Sequence, residues 1–219
     1  EHKKHFYELL NAFKDKRYIK VDDKPLFVVF SPKSIPNVKE FIKLWNELAI
    51  ENGLNGIHFV GITENFEIKK TDAKGEESYK LNSNTNNSSL YYNNILELGF
   101  NAVNSRGMNR AQLKNESNAW VYYFKKFIDV KLNIQIVKKY YYKNIIKHLY
   151  VEEDSWENVY PTIIPNWARS ARSGKKAVIW HESTPALFKK NIEECLDIIK
   201  NKDEEQKISN KKKTKQNIN

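Results

Sequence analysis

Short runs dominated by apolar residues alternate along this chain with stretches of helical periodicity, and that alternation restricts its fold more than any other feature. Leu26-Phe27-Val28-Val29-Phe30 is apolar at every position, the pattern of a strand covered on both faces within a parallel sheet. Ser31-Pro32 ends it. Val38, Phe41, Ile42, Trp45, Leu48 and Ala49 then recur at helical spacing, which defines an amphipathic helix, and Gly53 suits its C-terminal cap. Ile57 to Ile62, Gly99 to Val103 and Val159 to Ile164 read as three further strands, mostly apolar. An opening helix carries Phe6, Leu9, Leu10 and Phe13 on one face, and further helices are expected near Leu90–Leu96, around Trp120, Phe124, Phe127 and Ile128, and over Tyr142–Tyr150. Val130, Leu132, Ile134 and Ile136 alternate and fit a short strand. Lys176 to Trp180 fits a short extra strand or an extended loop. Thr184 caps the last helix with Pro185 in its first turn, and that helix is expected to bury Phe188, Ile192, Cys195, Leu196 and Ile199. The polar stretch from Lys69 to Ser89, with its low-complexity core at Asn82–Ser89, reads as a long surface loop.

About four βα units of this kind define an α/β chain with parallel strands, arranged as an open doubly wound sheet or as a (β/α) barrel. Phe30, Ile62, Val103 and Ile164 would then end neighbouring strands around one mouth. No glycine-rich phosphate loop follows any strand, which weighs against nucleotide-binding folds. The apolar fraction of 40% supports a genuine core. No run is long enough for a transmembrane helix, no apolar secretion core follows the basic start, and a single cysteine, Cys195, suits a reducing compartment. A cytoplasmic location is expected. Cys195 reads as a small buried hydrophobe. The net charge of +10 comes mostly from scattered lysines and a tail at Lys211-Lys212-Lys213-Thr214-Lys215. Without a helix-turn-helix, zinc or RNA-binding signature, a nucleic-acid partner is not expected. Residues 1–201 are read as one domain and 202–219 as a basic, disordered tail.

Several segments, in order, resemble one family. Tyr18-Ile19-Lys20-Val21-Asp22-Asp23-Lys24-Pro25-Leu26-Phe27 opens the match, and Leu44-Trp45-Asn46-Glu47-Leu48-Ala49 and Gly99-Phe100-Asn101-Ala102-Val103 continue it. Pro165-Asn166-Trp167, Arg172-Ser173-Gly174 and His181-Glu182-Ser183-Thr184-Pro185 follow. The chain is similar over roughly residues 5 to 200 to the WbsX-type proteins of polysaccharide and lipopolysaccharide O-antigen gene clusters. That family is described as glycosyltransferases and is itself similar to family 99 glycoside hydrolases with a TIM-barrel fold. The resemblance implies a partial, TIM-like (β/α) barrel holding the fourth to the seventh strand, and a carbohydrate or nucleotide-sugar substrate; no cofactor is expected. It also implies a fragment, since the Trp-Ala-Asn-Glu-Asn-Trp-like motif of the earlier strands and the Asn-Glu-Trp-like motif of the last strand have no counterpart here. Ala168 stands where the family commonly has an acidic residue, and Asn101 where it often has Asp. A partial barrel leaves strand edges and apolar surface open, so self-association or a complementing chain is expected. The alternatives are a non-catalytic sugar-binding remnant and a basic nucleic-acid-binding protein.

Glycoside chemistry generally uses two carboxyl groups facing the sugar, and in a (β/α) barrel they sit just past strand C-termini. Glu64, two residues past the second strand, has that station, although a solvated loop carboxylate is the commoner reading. Glu182 reads as a charge favouring the dipole of the last helix. Trp167, at a strand end, fits a sugar-stacking platform and a core aromatic about equally. Arg169 and Arg172 suit a phosphate or carboxylate, with Arg169 by default an ordinary surface residue. His181 could bond a sugar hydroxyl or move a proton, or simply bond a loop carbonyl. Asn101 and Asn104, placed at the end of the third strand, suit hydroxyl recognition. The catalytic candidates are therefore Glu64 and His181. The binding candidates are Trp167, Arg169, Arg172, His181, Asn101 and Asn104. No metal-ligand spacing occurs.

Overall fold

The computed structural model describes residues 1–63, 68–70, 77–79, 88–115, 137–174 and 177–216. In chain order the elements are α1 (His2–Lys14), β1 (Lys20–Val21), β2 (Lys24–Val29), α2 (Val38–Glu51), β3 (His58–Thr63), β4 (Ile68–Lys70) and β5 (Glu77–Tyr79). They continue with α3 (Ser88–Leu96), β6 (Ala102–Ser105), α4 (Met108–Asn115), β7 (Lys138–Tyr141), α5 (Tyr142–Ile145), β8 (Val159–Pro161), α6 (Ser170–Ser173), β9 (Val178–His181) and α7 (Pro185–Gln216). The expected helix at Trp120–Ile128 and the alternating segment Val130–Ile136 lie outside the described residues, as do Glu64 and most of the Asn82–Ser89 tract. The fold is mixed α/β with parallel strands, and it divides into two compact units.

The first unit comprises residues 1–65, 85–105 and 158–160. Its sheet runs β1-β2-β3-β6-β8. β1 and β2 form a tight hairpin in which Val21 faces Lys24. Asp22 and Asp23 between them both take left-handed backbone, φ 48° and 59°, as a two-residue turn matched to strand twist requires. β2 and β3 are parallel with Phe27 beside Phe59 and Val28 beside Val60, and β3 and β6 are parallel with Val60 beside Ala102. The strands leading to Phe30, Ile62 and Val103 are thus adjacent and parallel, as the alternation implied. The fourth expected strand is shorter: β8 stops at Pro161, and Ile164 is buried in the other unit.

Neighbours in register share a sheet face, and the two faces differ. Phe27 and Phe59 point to the helices, where Trp45 is fully buried with ring centroids 4.8 Å from Phe27, 4.9 Å from Phe41 and 5.6 Å from Phe6. The Trp45 indole donates to the His2 carbonyl at 3.2 Å, which ties α2 to the start of α1. Every apolar position assigned to α2 from its spacing is buried. Gly53, φ 80°, follows the helix with its amide on the Ile50 carbonyl. Gly61 is a requirement of packing, because a Cβ there would run into the Ile95 side chain and come within 3.0 Å of Pro32. The other face corrects the expectation that β2 is covered on both sides, since Val28 is 47% and Phe30 67% exposed. The exposure is confined to the β2 side of that face, since Val60 and Ala102, in register with Val28, are 2% and 1% exposed. His58 is buried on the same face, its Nε2 3.0 Å from the Tyr160 hydroxyl with the rings stacked.

The second unit comprises residues 66–84, 106–157 and 161–219. Part of the presumed loop is ordered as a ribbon, with β4 antiparallel to β5. β7 and β9 are parallel, Tyr140 beside Trp180 and Tyr141 beside His181. Their core gathers Met108, Ala111, Tyr140, Tyr142, Ile145, Ile146, Leu149, Ile164 and Trp180. Gly107 has φ 59°, and any Cβ there would collide with the Leu149 carbonyl. Arg110, on α4, donates to the carbonyls of His148 at 2.9 Å and Leu149 at 2.6 Å, satisfying acceptors that a helical turn leaves open at its end.

α7 begins as expected, with the Leu187 amide donating to Thr184 Oγ1 at 3.2 Å. Its buried face is different. Asn191 and Cys195 face inward, while Leu196 and Ile199 are 45% and 38% exposed. The inward register is set by Asn191, whose amide is satisfied inside, so the helix turns a polar residue toward the core. Burial pushes the Cys195 thiol up from its ordinary value and keeps it protonated, consistent with a small packed hydrophobe. The α7 backbone stays helical to Gln216, through the segment expected as a disordered tail. Lysine, glutamate and glutamine are good helix formers.

Candidate functional site

The C-terminal ends of β7 and β9 meet in register, and that juxtaposition builds the site. Tyr141 and His181 are the last residues of the two parallel strands, side by side, with ring centroids 4.2 Å apart and planes tilted by 48°. Tyr141 is 44% exposed. The Lys143 ammonium lies 5.4 Å from the centre of its ring, a cation–π distance. Tyr140 and Tyr142, on either side, are buried, so the strand and the helix start that follows hold Tyr141 outward by anchoring both neighbours.

A second segment runs antiparallel along β9. The Trp180 amide donates to the Trp167 carbonyl at 2.8 Å, the Arg169 amide to the Val178 carbonyl at 3.1 Å, and Ala168 bridges Ile179. Ser183 Oγ donates to the Pro165 carbonyl at 2.6 Å. Asn166 and Trp167 are thereby drawn to the end of β9 that carries His181. Trp167 is half-buried and packs on the Trp180 core, so it serves the core with one part and keeps another part open. The reverse direction of this segment takes Arg169 and Arg172 to the start of β9. Both are exposed, and the structure does not gather them with His181.

Beneath the site a buried hydrogen-bond ladder fixes the Pro165–Trp167 segment. Tyr142 donates to the Ile164 carbonyl at 2.7 Å. Asn191, fully buried on α7, donates to the Tyr142 oxygen at 3.4 Å and accepts from the Tyr150 hydroxyl at 2.8 Å. Burial raises both phenols above their ordinary range, Tyr150 the further, so they stay protonated donors at any physiological pH.

Thr184 caps the helix, and Glu182 sits two residues earlier with φ 58°. A left-handed backbone costs a residue with a Cβ roughly 1 kcal/mol or more. Its carboxylate oxygen lies 3.5 Å from His181 Nδ1. Asn101 and Asn104 belong to the first unit. Asn101 precedes β6 rather than ending it, and its side-chain oxygen accepts from the Phe59 amide at 2.8 Å. Asn104 lies inside β6 and donates to the Tyr160 carbonyl at 2.8 Å. Both amides brace the sheet. Glu64 lies outside the described residues. Tyr141, Ser183 and the ladder of Tyr142, Asn191 and Tyr150 were not singled out from the sequence. A run of three tyrosines ending an alternating stretch, and one Asn on an apolar helix face, were the available signals. Among the described residues no group of three or more His, Cys, Asp or Glu side chains could hold a metal ion. No helix among them is long and apolar enough to cross a membrane.

An aromatic and an imidazole at the ends of adjacent parallel strands, with the Trp167 backbone paired to Trp180 and its indole on the core face, describe an α/β protein with a polar-aromatic cluster at a strand end. The family model of glycosyltransferase WbsX matches residues 1–210, and the chain belongs to that family. No curated protein and no solved structure matches it.

Proposed function

We propose that this chain is a carbohydrate-active protein that binds a saccharide or nucleotide-sugar at the ends of β7 and β9, for glycosyl transfer or glycoside hydrolysis in surface-polysaccharide assembly, O-antigen included. The reading places it in the cytoplasm, on a partial, TIM-like (β/α) scaffold. One observation carries it: Tyr141 and His181 are paired at the C-terminal edge of parallel strands, with ring centroids 4.2 Å apart. Sugar rings offer an apolar face to aromatics and a rim of hydroxyls to imidazole and amide groups. Membership in the glycosyltransferase WbsX family supports the same substrate class. Arg169 and Arg172 suit the diphosphate of a nucleotide-sugar lying along β9.

The test is a titration with a panel of oligosaccharides and nucleotide-sugars, followed by the indole NMR resonance of Trp167 assigned with Trp167→Phe. Saturable shifts are expected, and Tyr141→Ala and Trp167→Ala should each weaken binding about 10-fold or more. Binding that neither substitution alters, or no binding by any sugar, would overturn the reading. Release of free nucleoside diphosphate separates a transferase from a non-catalytic sugar binder.

A further inference from the structure

We propose that Glu182 is a positioning residue for proton transfer by His181, holding its imidazole with Nδ1 toward the carboxylate and Nε2 free to take a proton from a sugar hydroxyl. The inference rests on the saccharide reading of the site. Three observations converge on it. The Glu182 carboxylate is 3.5 Å from Nδ1, and a negative charge on that side favours a proton on Nδ1, which leaves Nε2 as the acceptor. The Tyr141 ring, 4.2 Å from the imidazole, fixes the plane in which Nε2 points. Glu182 keeps a left-handed backbone, φ 58°, at a place where glycine would sit without strain. The helix that follows has its own cap in Thr184, so neither the helix nor the turn requires a glutamate. Side chains held in such conformations concentrate at functional sites.

In a transfer the step balances as follows. An acceptor hydroxyl gives its proton to Nε2 while its oxygen bonds to the anomeric carbon of a nucleotide-sugar. The donor's C–O bond breaks, and its electron pair leaves with the nucleoside diphosphate. The imidazolium that forms is offset by the Glu182 carboxylate beside it. This is the division of labour between an imidazole base and an orienting carboxylate.

The decisive variant is Glu182→Gly, compared with Glu182→Gln and the unmodified chain. Long-range nitrogen–proton NMR correlations of His181 should show the Nδ1–H tautomer in the unmodified chain and a shift toward Nε2–H in Glu182→Gly. Glu182→Gln, which retains an acceptor oxygen, should restore the original tautomer. Thermal stability of Glu182→Gly should equal or exceed that of the unmodified chain. Saccharide affinity should change little, while nucleoside diphosphate release from a panel of nucleotide-sugars should fall about 10-fold or more. An Nε2–H tautomer in the unmodified chain, a clear loss of stability in Glu182→Gly, or undiminished turnover overturns the proposal. Absence of saccharide binding in the unmodified chain would sink the reading of the site instead, with the tautomer measurement still deciding the arrangement of the pair.

Discussion

Tyr142→Phe removes one oxygen atom from the centre of the second unit, and its cost can be worked from the ladder beneath the site. The hydroxyl donates to the Ile164 carbonyl at 2.7 Å and accepts from the Asn191 amide at 3.4 Å. All three groups belong to buried residues. Phenylalanine fills the same space, so no cavity forms and the aromatic contacts survive. What changes is that a buried carbonyl and a buried amide each lose a partner. An orphaned buried polar group costs about 1–3 kcal/mol, and the longer Asn191 bond contributes the smaller share. The sum is about 2–3 kcal/mol, which lowers Tm by roughly 4–12 °C in a chain of this size. Urea unfolding followed by far-UV circular dichroism measures it, with Tyr7→Phe as the control, since Tyr7 is 51% exposed. The same change at Tyr7 should be neutral within about 0.5 kcal/mol. Freed from Tyr142, the Ile164 carbonyl also loosens the segment leading to Trp167, so saccharide affinity should fall in parallel. If Tyr142→Phe matched the control within 0.5 kcal/mol, the hydroxyl would not be bonding inside the core and the reasoning would fail.

Gly107→Ala should lose about 2 kcal/mol or more, because a left-handed backbone and a collision with the Leu149 carbonyl act together; chemical denaturation reports it. Trp45→Ala should cost about 3–5 kcal/mol and abolish the cooperative unfolding of the first unit, read by hydrogen exchange in β2 and β3. Burial, opposed by the Asp22 charge, holds His58 below the usual imidazole range. The folded form therefore binds fewer protons than the unfolded one, and its stability is complete above the unfolded pKa and declines as pH falls through it toward the folded value. His148 is shifted in the same direction, so melting temperatures should drop between pH 7 and pH 5, and His58→Gln should flatten that dependence without removing it.

The helices were the most legible part of the molecule. In α2 every apolar position at helical spacing is buried, because a helix with one covered face writes its orientation into a period of 3.6 residues. The caps at Gly53 and Thr184 were equally plain, since they depend on a single residue's backbone freedom or side-chain oxygen. The strands were legible as strands but not in their surroundings. Leu26–Phe30 is apolar throughout, yet Val28 and Phe30 are exposed while Val60, beside Val28, is buried, because composition cannot say how far the cover of a sheet face extends. α7 shows the same limit. Its stripe was expected to include Leu196 and Ile199, and the burial of Asn191 rotates the helix away from them. A buried amide is invisible to hydrophobic periodicity, since its partners, Tyr142 and Tyr150, lie 49 and 41 residues away.

By itself the sequence determined the alternation of strand and helix, the parallel sense of the central strands, the helix ends, and the candidacy of Trp167 and His181. These follow from local rules: side-chain period, backbone freedom at glycine and proline, and residue chemistry at strand ends. Only the tertiary structure decided which candidates meet. Strand register set Tyr141 beside His181, an antiparallel return paired Trp167 with Trp180 and carried Arg169 and Arg172 to the other end, and Asn101 and Asn104 were taken up in bracing the sheet. Register and chain reversal are long-range outcomes of packing, and no local pattern encodes them.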